Sequence, residues 1–257
     1  MKYLNDINYK DCVGKILKSK NFGDFKIVKY NNSRNVDIQF VTTGFETSAQ
    51  LEHIKNGNVK DSYVASVHGV GVAGAKYPIT VNGVKTKEYD LWNSMLKRCY
   101  SDAYQKKQPT YKGCKVSNNF LRYEYFYEWC HIQVGFNNKD WQLDKDLLVK
   151  GNKVYNESTC VFLPKEINSV LTKSTATRGE HLIGVCWSNT HKAFKAQVSK
   201  SKGKREHLGY FKTEIEAFNA YKIAKEVYLK ELAEKWEYEI DLRAYNALMS
   251  YTVDIDD

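Results

Sequence analysis

The chain has 257 residues, of which 42% are hydrophobic and 27% charged; enough apolar material for a packed core excludes wholesale disorder. Thirty-nine Lys and Arg against 30 Asp and Glu leave a formal charge of +9. The last stretch, from Glu237, holds six acids and one Arg, so the rest carries about +14, and a polyanion is the partner such a charge predicts. No apolar run nears the roughly 18–20 residues of a bilayer span, and the opening MKYLNDINYKDC has no signal-peptide core, so a cytosolic protein with no membrane partner is expected.

The six cysteines, Cys12, Cys99, Cys114, Cys130, Cys160 and Cys186, include no CxxC pair. With no secretion signal beside them, they read as reduced and mostly buried.

From Asp11 to Asp61 the pattern is short and β-like, with breaks at Asn, Gly and Ser and the alternation Val36, Ile38, Phe40 of a half-buried strand. Four or five strands in this stretch predict a small curled sheet or barrel over residues 1–66, with Lys15, Lys18, Lys20, Lys26, Lys29 and Arg34 on its outside. The Gly- and Val-rich HGVGVAGAKYPITVNGVK, His68–Lys85, has the period of neither helix nor strand and reads as a linker or extended loop over 67–88. It lacks the Lys-Ser/Thr of a phosphate-binding loop.

Segment 89–173 opens on an amphipathic helix, YDLWNSMLKRCY, with Leu91, Met95 and Cys99 on one face and Trp92 and Leu96 on its flank. A second helix is expected over Phe120–Cys130. Then follow a strand (Leu143–Val149), an Asn- and Gly-rich loop (Lys150–Ser158), a second strand (Thr159–Leu163) and a short helix from Lys165.

From Gly179 three short strands are separated by polar turns at Ser188–His191 and Lys200–Gly203. A long helix follows, with Thr213 as N-cap and Glu216 as its capping-box partner. Ala217, Phe218, Tyr221, Ala224, Lys225 and Tyr228 repeat at helical spacing and would cover a sheet face carrying Phe194, Ala196 and Val198. The opposite face would hold Cys186, Ser188, Lys195, Gln197, Ser199, Arg205 and His207. Between His181 and Thr213 stand seven Lys or Arg and one Glu, the surplus expected of a duplex binder. The tail 237–257 reads as a solvated or packed cap.

Two resemblances follow from these motifs. The ββα order with Asp144 on its first strand, together with LWNSMLKRCY, YKGCKVSNNF, LDKDLLVKGNK and PKEIN, resembles the HNH-like endonucleases of bacteriophages, the homing type among them. That resemblance implies a Mg²⁺-dependent hydrolysis of DNA in which Asp144 and Asn168 would be metal ligands and Asn152 or Asn156 would hold the loop. The family's general-base His falls on Lys145, whose ordinary pKa near 10.4 and acidic neighbours Asp144 and Asp146 favour the charged ammonium. The run IGV, AFKAQV, GKR, HLGYF, TEIEAFNAY over residues 179–236 resembles the APETALA/ethylene-response-factor DNA-binding domain. It implies that Cys186, Ser188, Gln197, Ser199, Arg205 and His207 face the bases of double-stranded DNA. Lys192, Lys195, Lys202 and Lys204 would meet phosphates.

The expectation is an α+β chain with a small β domain, a central HNH-like ββα domain with helices, and a C-terminal three-stranded antiparallel sheet on one helix. Two functions stand open: a site-directed, metal-dependent DNA endonuclease of a phage or mobile element in a bacterial host cytoplasm, and a non-catalytic DNA-binding regulator on the same scaffold. A third, an RNA-binding factor using the N-terminal β domain, would show itself by a preference for single-stranded RNA.

Overall fold

The computed structural model describes residues 12–172, 180–200 and 203–255. The opening residues of the expected N-terminal domain, the stretch between the expected central and C-terminal domains, Lys202 and the last two acids lie outside the described residues. The fold is α+β, and the chain divides into two compact units: one runs to Lys112 and includes Asn118–Tyr127, the other comprises Gly113–Ser117 and everything from Glu128.

In the first unit, strands β1 (Ile16–Lys18), β2 (Asp24–Asn32), β3 (Asn35–Phe40) and β4 (Glu46–Ala49) form an antiparallel meander in sequence order. Phe25, Ile27, Val36, Ile38 and Phe40 alternate onto its buried face and meet Leu51 and Ile54 of helix α1 (Leu51–Lys55) and Val59. Each such side chain contributes about 1.5–3 kcal/mol on burial. The tail of FETSAQLEHIKNG is therefore a helical lid. The outer row pairs Lys26 with Gln39 and Gln39 with Glu46, and Lys29 with Asp37, so the lysines of this sheet are interleaved with acids.

The Gly-rich stretch is a packed loop. Gly71 sits so close to Trp92 and Leu96 that a Cβ there would collide with both, and Val72 bridges to Arg122. The stretch ends in a hairpin of β5 (Thr80–Val81) and β6 (Val84–Lys85). Helix α2 (Lys87–Tyr100) starts at Thr86, whose hydroxyl accepts the Tyr89 N–H, and buries Trp92, Met95, Leu96 and Cys99. Helix α3 (Asp102–Lys107) follows. Trp92 donates its indole N–H to the Phe120 carbonyl at 2.7 Å.

In the second unit, β7 (Lys115–Val116) pairs in parallel with β9 (Val154–Tyr155). The helix expected over Phe120–Cys130 is α4 (Tyr123–His131), whose first residues belong to the first unit. The first ββα strand is β8 (Gln142–Asp144), and it pairs antiparallel with β10 (Val161–Leu163), setting Asp144 opposite Val161. Helix α5 (Lys165–Leu171) completes the ββα order. The first strand stops at Asp144 rather than Val149, because the Asp144 carboxylate takes the N–H groups of Asp146 (2.9 Å) and Leu147 (2.7 Å) and turns the chain out of the ladder.

Strands β11 (Val185–Ser188), β12 (Ala193–Ser199) and β13 (Arg205–Phe211) form an antiparallel sheet backed by α6 (Glu214–Lys235). Thr213 and Glu216 form the capping box. Helix α6 outlasts the sheet. Its first turns seat Ala217, Phe218 and Tyr221 against Val185, Ala196 and Val198, while its second half meets α5 and the approach to β8: Lys225 donates to the Val170 carbonyl, Lys235 pairs with Glu166, and Trp236 lies edge-on to Trp141. Helix α7 (Leu242–Met249) buries Ala244 and Leu248. Val253 then enters the sheet–helix core, its N–H held by Glu226 at 2.8 Å. The acidic C-terminal stretch is thus packed against α6 as far as Val253.

Candidate nucleic-acid interface and the ββα element

Residues opposite each other in an antiparallel ladder share a face, so the register assigns the outer face of the β11–β12–β13 sheet. Cys186 stands opposite Lys195 and Lys195 opposite Tyr210; Gln197 faces His207, and Ser199 faces Arg205. Ser188 pairs with Ala193 at the near end. The helix side carries Val185, Ala196 and Val198.

Glu206 is the one acid within these strands. Its partner across the ladder is the buried Val198, so it lies on the helix side. There it pairs with Lys200 at 2.7 Å, and Lys200 in turn lies over the Tyr228 ring of α6. That hydrogen bond holds the Lys200 ammonium above its ordinary range. The outer face is left with Lys195, Arg205 and neutral polar or aromatic groups. Lys192 is exposed in the β11–β12 turn with φ +48°, and Lys204 is exposed where its carbonyl accepts the Lys200 N–H at 2.7 Å.

Tyr210 and His191 were not among the expected outward residues. Their rings stack at 3.9 Å with 22° between planes, and His207 lies 4.7 Å from Tyr210. The Ser188 hydroxyl shares a hydrogen bond with His191 Nδ1 at 3.2 Å and accepts its main-chain N–H, fixing the ring in the turn. Strict alternation from Arg205 and His207 would put Gly209 outward and Tyr210 inward. A bulge between Ala196 and Gln197 reverses the phase: Leu208 packs into the core, Gly209 sits opposite Ala196, and Tyr210 turns out. Gly209 has φ +132°, a conformation that L side chains rarely adopt. Its position between Leu and Tyr was the one sequence signal for the bulge.

In the ββα element, Lys145 is buried. Its ammonium donates to the Asn152 carbonyl at 2.8 Å, pairs with Asp146 and lies over the Tyr155 ring. The Asn152 side chain donates to the carbonyls of Lys145 (2.8 Å) and Val154 (2.7 Å) and accepts the Val154 N–H. Asn156 closes its own turn, with its side-chain oxygen accepting the N–H groups of Ser158 and Thr159. Asn168 donates its amide to the Gln142 side chain on β8. Burial pushes the Asp144 carboxyl above its ordinary range, against the opposing pull of its two backbone donors. Burial likewise pushes the Cys160 thiol up to about 12, which makes it inert as a nucleophile at neutral pH.

The structure thus brings Lys145 and Asn152 together and sets Asn168 against the strand that carries Asp144, while Asn156 works locally. Among the described residues no three His, Cys, Asp or Glu side chains converge as a metal site. No disulfide joins any of the six cysteines, which all lie among the described residues, and five are buried. No helix among the described residues is long and apolar enough to cross a membrane. Comparison of the chain with protein-family models, with curated proteins and with solved structures gave no match.

Proposed function

We propose that this chain is a double-stranded DNA-binding protein of phage or mobile-element type, working in the bacterial host cytoplasm. It reads its site with the outer face of β11–β12–β13 and keeps its HNH-like ββα element as a non-catalytic scaffold. One observation carries the reading: the outward row Cys186–Lys195–Tyr210, Gln197–His207 and Ser199–Arg205 holds cations and hydrogen-bonding groups, while the sheet's one acid, Glu206, is turned to the helix side and matched by Lys200. Arg205 suits guanine and Gln197 adenine in a major groove, and Lys192, Lys195 and Lys204 suit phosphates.

The residues at the positions the HNH resemblance assigns to Mg²⁺ do not compose a site for it. A hard cation needs several convergent oxygens. Here Asp144 already accepts two backbone N–H groups, Asn168 is bonded to Gln142, and the cation next to Asp144 is the protein's own Lys145. Lys145 is committed to Asp146 and the Asn152 carbonyl, contacts that a general base would have to give up to meet a water.

The test is selection from a randomised duplex library in the presence of Mg²⁺, with bound and cleaved molecules recovered separately and the selection repeated with Asp144→Ala. An enriched site recovered intact is the expected result. Cleaved ends that disappear with Asp144→Ala would establish the endonuclease instead, and no enrichment of any duplex would remove the DNA reading.

A further inference from the structure

Among the described residues of the first unit, the most exposed large apolar side chain, Val84, lies on the β5–β6 hairpin. Asn82 and Gly83, with φ +50° and +77°, form the two-residue turn, whose backbone twist matches the flanking strands. Val81 and Val84 stand opposite each other beside it, 53% and 70% exposed, and Ile79 follows at 40%. The paired register puts both valines on one face and Thr80 and Lys85 on the other.

The stem below this tip is rigidly seated. Tyr123, fully buried, donates its hydroxyl to the Pro78 carbonyl at 3.0 Å and lies 3.1 Å from the Thr86 hydroxyl. Thr86 donates its N–H to the Ile79 carbonyl at 3.1 Å and caps α2. Glu124 takes the N–H groups of Ala75 and Lys76 at 2.9 Å each, fixing the entry to the hairpin. Along the chain no Asp or Glu occurs from Ser62 to Lys87, and Lys76, Lys85 and Lys87 flank both arms; the nearest acids stand at the base, Glu124 on the backbone of the entry and Glu88 in the first turn of α2.

We infer that this hairpin is a second DNA-contacting element, whose Val81–Val84 tip wedges between base pairs from the minor groove while the flanking lysines meet the phosphates on either side. The inference rests on the duplex-binding reading above. Two valines are far too little area for a stable protein interface, which buries upward of about 1,200 Å², whereas a wedge needs only one or two apolar side chains on a stiff support. Valines carry no donor or acceptor with which to read a base edge, so their chemistry fits unstacking rather than sequence readout. The positive flanks complement the backbones that line a groove.

The test compares wild type with Val81→Ser/Val84→Ser on the duplex selected above, reading affinity and DNA bend angle from end-to-end energy transfer. The expected result is a bend of some tens of degrees with wild type, its loss in the variant with roughly tenfold weaker binding, and the same selected sequence for both. A thermal melt checks the fold. Should the double variant melt early, Val84→Leu keeps an apolar tip and must keep the bend. Unbent DNA with wild type, an unchanged bend in the serine variant, or a lost bend in the leucine variant overturns the wedge while leaving the sheet reading intact. A DNA-free dimer of wild type that the serine variant abolishes also overturns it, marking the tip as a protein contact. Failure of wild type to hold any duplex removes the sheet reading itself, and the wedge with it.

Discussion

Lys145 and Asn152 bond each other twice: the lysine ammonium donates to the Asn152 carbonyl at 2.8 Å, and the Asn152 amide donates to the Lys145 carbonyl at 2.8 Å. The pair closes the loop between β8 and β9, so Lys145 is a strut of that loop.

Asn152→Ala takes the Asn152 donor from the carbonyls of Lys145 and Val154, the latter keeping the Thr159 hydroxyl, and removes the acceptor of the Val154 N–H. A loss of about 1–3 kcal/mol is expected, read as a lowered urea midpoint, with the DNA sequence selected by the protein unchanged. An unchanged midpoint would mean that the loop holds without this pair.

Asp144→Asn keeps an oxygen for the backbone donors of Asp146 and Leu147 but removes a carboxylate that burial disfavours. A raised carboxyl pKa means that the folded state binds the proton more tightly, so wild-type stability falls as pH rises through that range. The variant is expected to melt higher than wild type at pH 7, with the gap closing as pH falls through the raised folded range and gone by about pH 4, the unfolded value. A lower melt at pH 7 would show the charge to be stabilising.

Lys225 is 9% exposed, and burial lowers its ammonium to about 8. Unfolded lysine keeps its proton to near 10.4, so between about pH 8 and 10 the unfolded chain holds the proton that the folded chain has lost, and stability rises with pH. Measured against Lys225→Met by denaturant melts, wild type is expected to gain up to about 3 kcal/mol from pH 7 to 10. A constant difference across that range would refute the assignment.

Much of the C-terminal module was legible because its signals are local. Thr213 and Glu216 announced the start of α6, and the Phe194, Ala196, Val198 alternation announced its sheet. What was not legible depends on distant partners or a single-residue shift. The bulge at Leu208 turned Tyr210 outward; Asp144 ended β8 five residues early through bonds to its own backbone; and Val253 reached the α6 core through Glu226, 27 positions away. The Gly-rich stretch read as spacer because its packing against Trp92 lies in glycine's missing Cβ, which leaves no hydrophobic pattern.

Arg205 and Tyr210 lie near opposite ends of β13, about 15 Å apart at strand spacing, or four to five base pairs of duplex. Arg205→Ala is expected to cost about 1–3 kcal/mol and relax preference at one base pair. Tyr210→Ala, which unseats His191, should relax preference at the other end of the site. A uniform loss across all sequences from either variant would mark that residue as a backbone contact.

If the outer sheet face holds the duplex, charge reversal on that face weakens the affinity for one selected duplex at fixed salt. Lys195→Glu/Arg205→Glu is compared with Lys26→Glu/Lys29→Glu on the N-terminal sheet, where lysines are interleaved with acids. Both pairs change the net charge equally. A loss of at least about a hundredfold is expected for the first pair, the scale of two removed phosphate or base contacts, and little change for the second. Equal losses from both pairs, or none from Lys195→Glu/Arg205→Glu, would contradict a duplex held on that face.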